Sequence, residues 1–520
     1  VFNFVRSLRH AARLVGIGIT LARHDALFLV EPVAGPMPLF RLFRSIRRRG
    51  GAARPGERLA AAFQEIGPAF IKLGQMLATR ADLLGEEVAA DLALLQDRLP
   101  PFSASEARAL IETEFGAPLD TLFQSFDDVP VAAASIAQVH FAVTSEGREV
   151  AVKILRPGIA QAFARDLELL LWLGQLIERT RPALRRLKPV EIARTLEKSV
   201  EIEIDLRFEA AAASELAENF ADDSGFHVPR VDWRRTGRGV LTIDRIVDGI
   251  RVDDRSALVA VGHDIDTLLR KSAEAFFNQV FRDGFFHADL HPGNMFVEPD
   301  GAIAVVDFGI MGRLDRDTRF FLADMLVGFL SGDYRRVAEV HFEAGYVPPD
   351  RSVDEFAQAC RSIGEPILGR PLAEISIARL LAQLFRVTEQ FEMETQPQLL
   401  LLQKTMVLIE GVGRQLDPDV NIWALARPLI EAWMRDNRGP EARLRQRLEN
   451  LVEVLDSLPG LVRSAGKLVG TWAEEGVVLH METLAAHAER RWREVFWVIV
   501  PLWLIGIGLV GIAVALLLGR

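Results

Sequence analysis

Along the chain the spacing of apolar residues changes from helical to alternating and back again. Leu59, Phe63, Ile66, Phe70, Leu73 and Leu77 recur at steps of three and four, which predicts helix over 56–99. Pro100-Pro101 ends that stretch, and Ser103 with Glu106 three residues on forms a capping box for the next helix. Over 129–154 the period falls to two. Val139, Phe141 and Val143 alternate, Ser145-Glu146-Gly147-Arg148 reads as a turn, and Glu149–Leu155 reads as a strand. Residues 158–220 return to helix, 240–243 form a short strand, 264–282 are helical, and 302–307 form a buried strand. From about 315 to 490 the chain is helix-rich, and Leu444, Leu448, Leu451 and Leu455 make an amphipathic stripe of the ordinary packing kind. Helices set apart from clustered strands predict an α+β protein.

Composition narrows the function. With 61 Lys+Arg against 71 Asp+Glu, the chain carries a net charge of −10, a poor match for general nucleic-acid binding. The single cysteine, Cys360, excludes a disulfide within the chain and any multi-cysteine zinc or iron–sulfur centre. None of the ten histidines stands in an HExxH pattern. The acidic average conceals local bias. Arg41, Arg44, Arg47, Arg48, Arg49 and Arg54 have no acid among them, and Arg6, Arg9, Arg13 and Arg23 are scattered through an apolar N-terminal stretch. Such a region suits an anionic membrane surface, with a solvated basic linker as the plainer alternative. Residues 495–518 carry no charge at all. As a helix they extend about 36 Å, enough for one crossing of a hydrocarbon layer. Trp497 and Trp503 near the start, and Arg490, Arg491 and Arg493 just before it, predict a single span with the bulk of the chain on the cytoplasmic side.

Four short segments carry the chemistry. Val150-Ala151-Val152-Lys153 puts a lysine on a hydrophobic strand after a hairpin. His287-Ala288-Asp289-Leu290-His291-Pro292-Gly293-Asn294 keeps the Asp-to-Asn spacing of a kinase catalytic loop. Asp307-Phe308-Gly309 follows directly on a buried strand, and Glu209 lies on a helix between the first two segments. ATP brings several negative charges to one place, and phosphoryl transfer asks a protein chiefly for positioning and neutralisation. Lys153 is suited to the α- and β-phosphates, with Glu209 holding Lys153. Asn294 and Asp307 offer the hard oxygen ligands that Mg²⁺ prefers. Asp289 is placed to orient or deprotonate an acceptor, and His287 reads as a structural hydrogen-bonder.

Further motifs are more particular. They are Lys72-Leu73-Gly74-Gln75, the run from Val131 through Ala132, Ala133, Ala134, Ser135, Ile136, Ala137, Gln138 and Val139 to His140, and Glu203-Ile204-Asp205. To these is added Ile409-Glu410-Gly411-Val412-Gly413-Arg414-Gln415-Leu416-Asp417-Pro418. With the four segments above, they make the sequence resemble the UbiB family of atypical kinase-like proteins, bacterial relatives of the mitochondrial ADCK proteins, over about residues 56–435. The resemblance implies a two-lobe, protein-kinase-like fold with a helical KxGQ extension over the active site. It implies that Ala132 to Val139, with Lys153, bind ATP or ADP, and that Lys72, Gln75, Glu203 and Asp205 form a regulatory lid. It also implies a role supporting ubiquinone biosynthesis at the inner membrane. Members of this type usually have two C-terminal spans where this chain has room for one, and Asp244 stands where Glu is more usual.

Several features set the chain apart from an ordinary protein kinase. No Gly-x-Gly-x-x-Gly precedes Lys153, and alanine methyl groups restrict the close backbone approach that glycine allows. No Ala-Pro-Glu follows Asp307-Phe308-Gly309, and helix is predicted again from Asp317. Fifty-six residues separate Lys153 from Glu209 (209 − 153), so helices are inserted within the small lobe. The expected organisation is a basic amphipathic segment (1–55), the KxGQ extension (56–128), a small lobe (129–250), a large lobe (251–435), an amphipathic helical linker (436–494) and a transmembrane helix (495–518). The expected function is that of a membrane-associated kinase-like ATPase using ATP/ADP and Mg²⁺. Its partners are inner-membrane lipid, ubiquinone precursors and other ubiquinone-biosynthesis enzymes, with a homodimer allowed and no nucleic acid. The alternatives are a true lipid, small-molecule or protein kinase, and a non-catalytic nucleotide- and lipid-binding scaffold.

Overall fold

The helical stretch predicted over 56–99 divides at Gly67, whose φ of +133° suits only glycine. In the computed structural model, which describes residues 2–29, 53–78, 84–93, 100–180, 188–366, 396–420 and 422–438 with Arg185 and parts of 387–393, α1 (Phe2–Arg23) is followed by α2 (Pro55–Ile66), α3 (Pro68–Ala78) and α4 (Glu86–Ala93). Pro68 restarts the helix at its first position, where a missing N–H costs nothing. The periodic residues Leu59, Phe63, Ile66, Phe70 and Leu77 are all buried, as their spacing requires. Ser103 begins α5 (Ala104–Phe115): its hydroxyl accepts from Glu106 N, and its own N–H donates to Glu106 Oε2 at 3.1 Å. The chain forms two units, Val1–Met434 and Arg435–Arg520, and the architecture described is that of the first.

After the short α6 (Leu119–Leu122) come strands β1 (Phe123–Phe126), β2 (Ala132–Ala133), β3 (Ala137–Thr144) and β4 (Glu149–Leu155). Strands β3 and β4 pair from Ala137↔Leu155 to Val143↔Glu149 around a turn in which Gly147 has φ +85°. With β6 (Val240–Asp244), they build a sheet of order β1-β3-β4-β6 with β2 on the flank of β3. Val150, Val152 and Ile154 have no exposed surface and pack with Ala107 and Ile111 of α5. Each such burial stabilises the fold by about 1.5–3 kcal/mol. Because successive side chains alternate, the same packing turns Lys153 to the opposite face.

On β3 the alternation comes out differently. Val139, Phe141 and Val143 are only half-buried, while Gln138, His140, Ala142 and Thr144 lie inside. The space beneath α5 is filled by the β4 valines and isoleucine. What β3 contributes there is small or hydrogen-bonded: Gln138 exchanges bonds with the Phe102 backbone, and His140 Nδ1 meets Asp127 O at 2.7 Å.

The helical stretch 158–220 contains α7 (Ile159–Thr180), α8 (Pro189–Glu203) and α9 (Leu206–Asn219), inserted between β4 and β6. Asp205 starts α9, its carboxylate accepting from Arg207 N. A second, four-stranded sheet is made of β5 (Phe226–His227), β7 (Ile250–Arg251), β9 (Met295–Val297) and β10 (Ile303–Val305), in the order β5-β10-β9-β7, so Phe226 and His227, expected in the small lobe, pair with a strand expected in the large one. The predicted buried strand is realised in β10, all three of whose residues are fully buried. A separate pair joins β8 (Phe285–His287) to β11 (Met311–Arg313). A β-carbon at Gly312 would run into the Phe286 ring. Around these strands are α10 (Arg255–Ala260), α11 (Ile265–Phe277), α12 (Arg316–Ser331), α13 (Tyr334–Glu343), α14 (Val353–Gly364), α15 (Pro397–Leu416) and α16 (Ile422–Arg438).

Among the described residues no helix is long and apolar enough to cross a membrane. The span expected at 495–518, the leucine stripe at 444–455 and the arginines at 41–49 lie outside the described residues.

Candidate active site

Lys153 enters the site from β4, Glu209 from the first turn of α9, and Asp307 from the turn after β10. Lys153 Nζ donates to Glu209 Oε1 at 2.7 Å and Oε2 at 2.9 Å, and to Asp307 Oδ1 at 2.8 Å. Two carboxylates from separate parts of the chain thus share the ammonium of Lys153. Asp307 adopts φ +66°, a left-handed conformation that a non-glycine residue takes at some cost, and such strain gathers at working sites. Its side chain keeps half of its accessible surface while that of Glu209 is nearly enclosed.

The charges follow from that geometry. Burial opposes the charge on Lys153, but Asp307 and Glu209 together outweigh it and hold the lysine protonated well beyond its usual range. Lys153 holds Asp307 well below the usual carboxylate range, against the effect of burial. Burial pushes Glu209 up to about 7, with Lys153 pulling the other way and the Asp307 charge adding to the rise. With Glu209 ionised, one cation and two carboxylates leave a single negative charge in excess, a setting that favours a further cation.

The catalytic-loop segment follows β8. Asn294, on a short helical turn, donates from Nδ2 to Asp289 O at 3.2 Å, which leaves Oδ1 as the atom able to face a metal. His287 is fully buried. Its Nδ1 accepts from Asp289 N at 3.1 Å, and its Nε2 lies 3.2 Å from Val306 O, which can only accept. The proton therefore sits on Nε2, and burial lowers the pKa of the ring so that it stays neutral. His287 spans the two loops as a structural hydrogen-bonder. His291 Nδ1 accepts from Gly293 N at 3.0 Å and caps the turn that carries Asn294.

The alanine-rich run is a tight hairpin. Ala132 pairs with Val139 and Ala133 with Gln138, and Ala134 N donates to Ala137 O. Gln138 must be set apart from the nucleotide-binding residues expected there. Its amide is spent on the Phe102 backbone and on His140 Nε2, and it lies in the interior behind the sheet. Lys72 on α3 forms an ion pair with Glu203 at 2.7 Å, both side chains being about four-fifths buried. Gln75 lies one turn further along the same helix, half-buried. Asp205 does not share that pair: it binds Arg207 at 2.6 and 2.8 Å while capping α9. Asp244 is engaged by Arg148 at 2.7 Å and Arg230 at 3.3 Å.

Three residues of the site escaped the sequence reading. Arg156 donates from Nε and Nη2 to Ala134 O at 3.0 and 2.8 Å and so clamps the alanine hairpin. Gln279, in the π-helical turn Asn278–Asp283, accepts from His287 N at 2.9 Å. Lys404 on α15 donates to Asp289 Oδ1 at 2.8 Å. Only Arg156 had a local signal, its place directly after the lysine-bearing strand.

A lysine held by a helix glutamate, an Asp–Asn loop and an aspartate after a buried strand, spread over two sheets, define an atypical kinase-like protein. Residues 94–341 match the ABC1 atypical kinase-like domain, and residues 360–421 match the UbiB helical domain. The chain is 42% identical to the probable protein kinase UbiB of Marinobacter nauticus, over 88% of its own length and 85% of that protein. It is 44% identical to the probable protein kinase UbiB of Aeromonas hydrophila, over 83% of its own length and 80% of that protein. Among solved structures, the complex of Rv3197 with erythromycin from Mycobacterium tuberculosis is similar, with 27% identity and a TM-score of 0.51 over 72% of this chain and 95% of that one. The chain belongs to the UbiB family.

Magnesium-bound nucleotide fits the donor set. Among the described residues no cluster of three or more His, Cys, Asp or Glu could cage a metal. One carboxylate and one amide oxygen suit an ion that takes its remaining ligands from phosphate and water. A bound nucleotide would supply the phosphoryl group and the metal-bridging oxygens. Lys153 would meet it from the small lobe, Asp307 and Asn294 from the large lobe.

Proposed function

We propose that this protein binds Mg²⁺–ATP in the cleft between its lobes and turns it over in support of ubiquinone biosynthesis at the inner membrane. ATP turnover gives access to lipid-soluble quinone precursors or organises the enzymes that modify them. The observation that carries the reading is the Lys153–Glu209–Asp307 cluster, complete at 2.7–2.9 Å, with Val306, beside Asp307, donating its N–H to Asn294 O of the Asp289–Asn294 loop. A scaffold that only binds has no need of an aspartate held in a left-handed conformation beside the phosphate-side lysine.

The Lys72–Glu203 pair supports the lid. Glu203 ends α8, Asp205 caps α9, and Glu209 stands on the first turn of α9, so the pair is one short step from the lysine cluster. A helix closed at that point favours a nucleotide and a small or lipid-borne acceptor over a folded peptide. Membrane attachment is assigned to residues 495–518, with the catalytic lobes on the cytoplasmic side.

The test is Mg²⁺–ATP turnover by the full chain, with and without anionic liposomes and a ubiquinone-precursor mimic, using γ-labelled nucleotide. Label released as phosphate and stimulated by lipid supports the ATPase reading. Label carried onto a protein or lipid replaces it with a kinase. No turnover under any condition, with nucleotide bound, replaces it with the scaffold. Removal of 495–520 should free the protein from carbonate-washed membranes, and retention would overturn the assigned span.

A further inference from the structure

The catalytic-loop segment His287-Ala288-Asp289-Leu290-His291-Pro292-Gly293-Asn294 contains no lysine or arginine. Charge developing on a transferred phosphoryl group nevertheless calls for a cation beside the acceptor-side aspartate. Lys153 stands on the other side, engaged with Glu209 and Asp307. His291 accepts at Nδ1 from Gly293 N and holds the turn that carries Asn294. The cation found at Asp289 comes from far along the chain: Lys404, 115 residues away, whose Nζ lies 2.8 Å from Asp289 Oδ1.

The placement of Lys404 is built in. Leu402 packs in one buried cluster with Phe286 and Ala288, the residues leading into the loop. Thr405 is fully buried, its hydroxyl turned back to Leu401 O at 2.9 Å. At its end, α15 is fastened by Arg255 Nε to Leu416 O at 2.7 Å. The helix is therefore seated on the loop by its apolar residues and offers Lys404 to the cleft. The lysine side chain itself keeps 47% of its surface, so its four-carbon stem has room to swing.

We propose that Lys404 is the cation that binds the terminal phosphate of the nucleotide. It neutralises Asp289 while the cleft holds no nucleotide and exchanges that partner for the γ-phosphate when ATP enters. The residues matching the helical domain thereby contribute directly to the nucleotide site. Lys404 forms only ionic hydrogen bonds, so no covalent bond is made or broken at it. The inference rests on the nucleotide-binding reading given above.

The experiment compares the affinities of the full chain for a non-hydrolysable ATP analogue and for ADP, each with Mg²⁺, by direct binding. Lys404→Met should weaken the ATP analogue about tenfold and leave ADP within about twofold, because only the former has a γ-phosphate. Lys404→Arg should recover most of the loss. Asp289→Asn, which releases Lys404 without removing it, should tighten the ATP analogue relative to ADP. Equal changes for both nucleotides in Lys404→Met, or no preference gained in Asp289→Asn, would overturn the proposal. If Lys404→Met does not fold, as read by its thermal transition, Asp289→Asn and Lys404→Arg decide alone. Lys153→Met separates the two levels of the argument. If it abolishes binding of both nucleotides while Lys404→Met shows no discrimination, only this inference fails. If Lys153→Met binds both normally, the nucleotide-site reading itself fails.

Discussion

Two largely enclosed lysines, Lys72 on α3 and Lys153 on β4, are partnered in opposite ways. Lys72 has one glutamate, at 2.7 Å, and the pair is electrically closed. Lys153 has two carboxylates within 2.9 Å, and with both ionised that group carries an excess negative charge. A closed pair in a partly dry setting resists exchange, because a lone buried charge is costly to leave behind. A group with surplus charge is ready to trade a partner for an incoming cation. The first arrangement suits a fastening and the second a binding site, although both are built from the same kinds of residue.

Removing the surplus should have the largest effect. Asp307→Asn replaces a carboxylate by a far weaker magnesium ligand. Turnover of Mg²⁺–ATP should fall by at least about 10²–10³-fold, measured by phosphate release, while the thermal transition stays near that of the unaltered protein. A loss of folding of the same size would make the cluster a structural one. Glu209→Gln comes next and should weaken nucleotide binding about tenfold, because Lys153 then leans wholly on Asp307.

The same substitution bears on pH. Burial raises Glu209 to about 7, above its value in the unfolded chain, so the folded state favours its protonated form. That contribution to stability is full below about pH 4.3 and is lost as pH rises through 7. Asp307 acts in the opposite sense, but only in strong acid, below the range of interest. Denaturant titrations of the nucleotide-free protein should therefore show a decline on the order of 1–3 kcal/mol between pH 5 and 7.5 that Glu209→Gln removes. An unchanged slope would mean that the carboxyl is ionised throughout.

The fastening should couple more gently. In a double-mutant cycle, Lys72→Ala and Glu203→Ala should interact by about 1–3 kcal/mol in stability, with a parallel change in nucleotide exchange rate. Strict additivity would dissolve the comparison, since Lys72 would then be a solvated helix lysine. The smallest effect is expected away from both groups. Ser103→Ala removes a helix cap and should cost about 1 kcal/mol, seen as a lower thermal transition with turnover per folded molecule unaltered.

How much of this was legible in the sequence depended on the reach of each contact. The hairpin around Gly147, the cap at Ser103 and the burial of 303–305 are set by neighbours, and local pattern predicted them. The outward turn of Lys153 followed from alternation along one strand. The face of β3 did not, because its apolar row and its buried row differ: α5 and β4 fill the interior first, and Gln138 and His140 take what is left. Lys404 and Gln279 carry no periodic signal, since their meaning lies in a partner across a fold boundary. The resemblance grouped Lys72, Gln75, Glu203 and Asp205 without saying which of them meet: Glu203 pairs with Lys72, and Asp205 with Arg207.

The stretch from Gly309 to α12 has a consequence for control. Ile310 O accepts from Ala288 N, Met311 to Arg313 pair with β8, Leu314 N donates to Gly284 O, and Asp315 caps α12. This is the position at which signalling kinases keep a slack loop that modification can order or release. Here the length is used up in holding the large lobe together. Its backbone pairing leaves little length for a modifying enzyme to order or release. On the lid reading proposed above, control would then fall to entry past α3 rather than to this stretch.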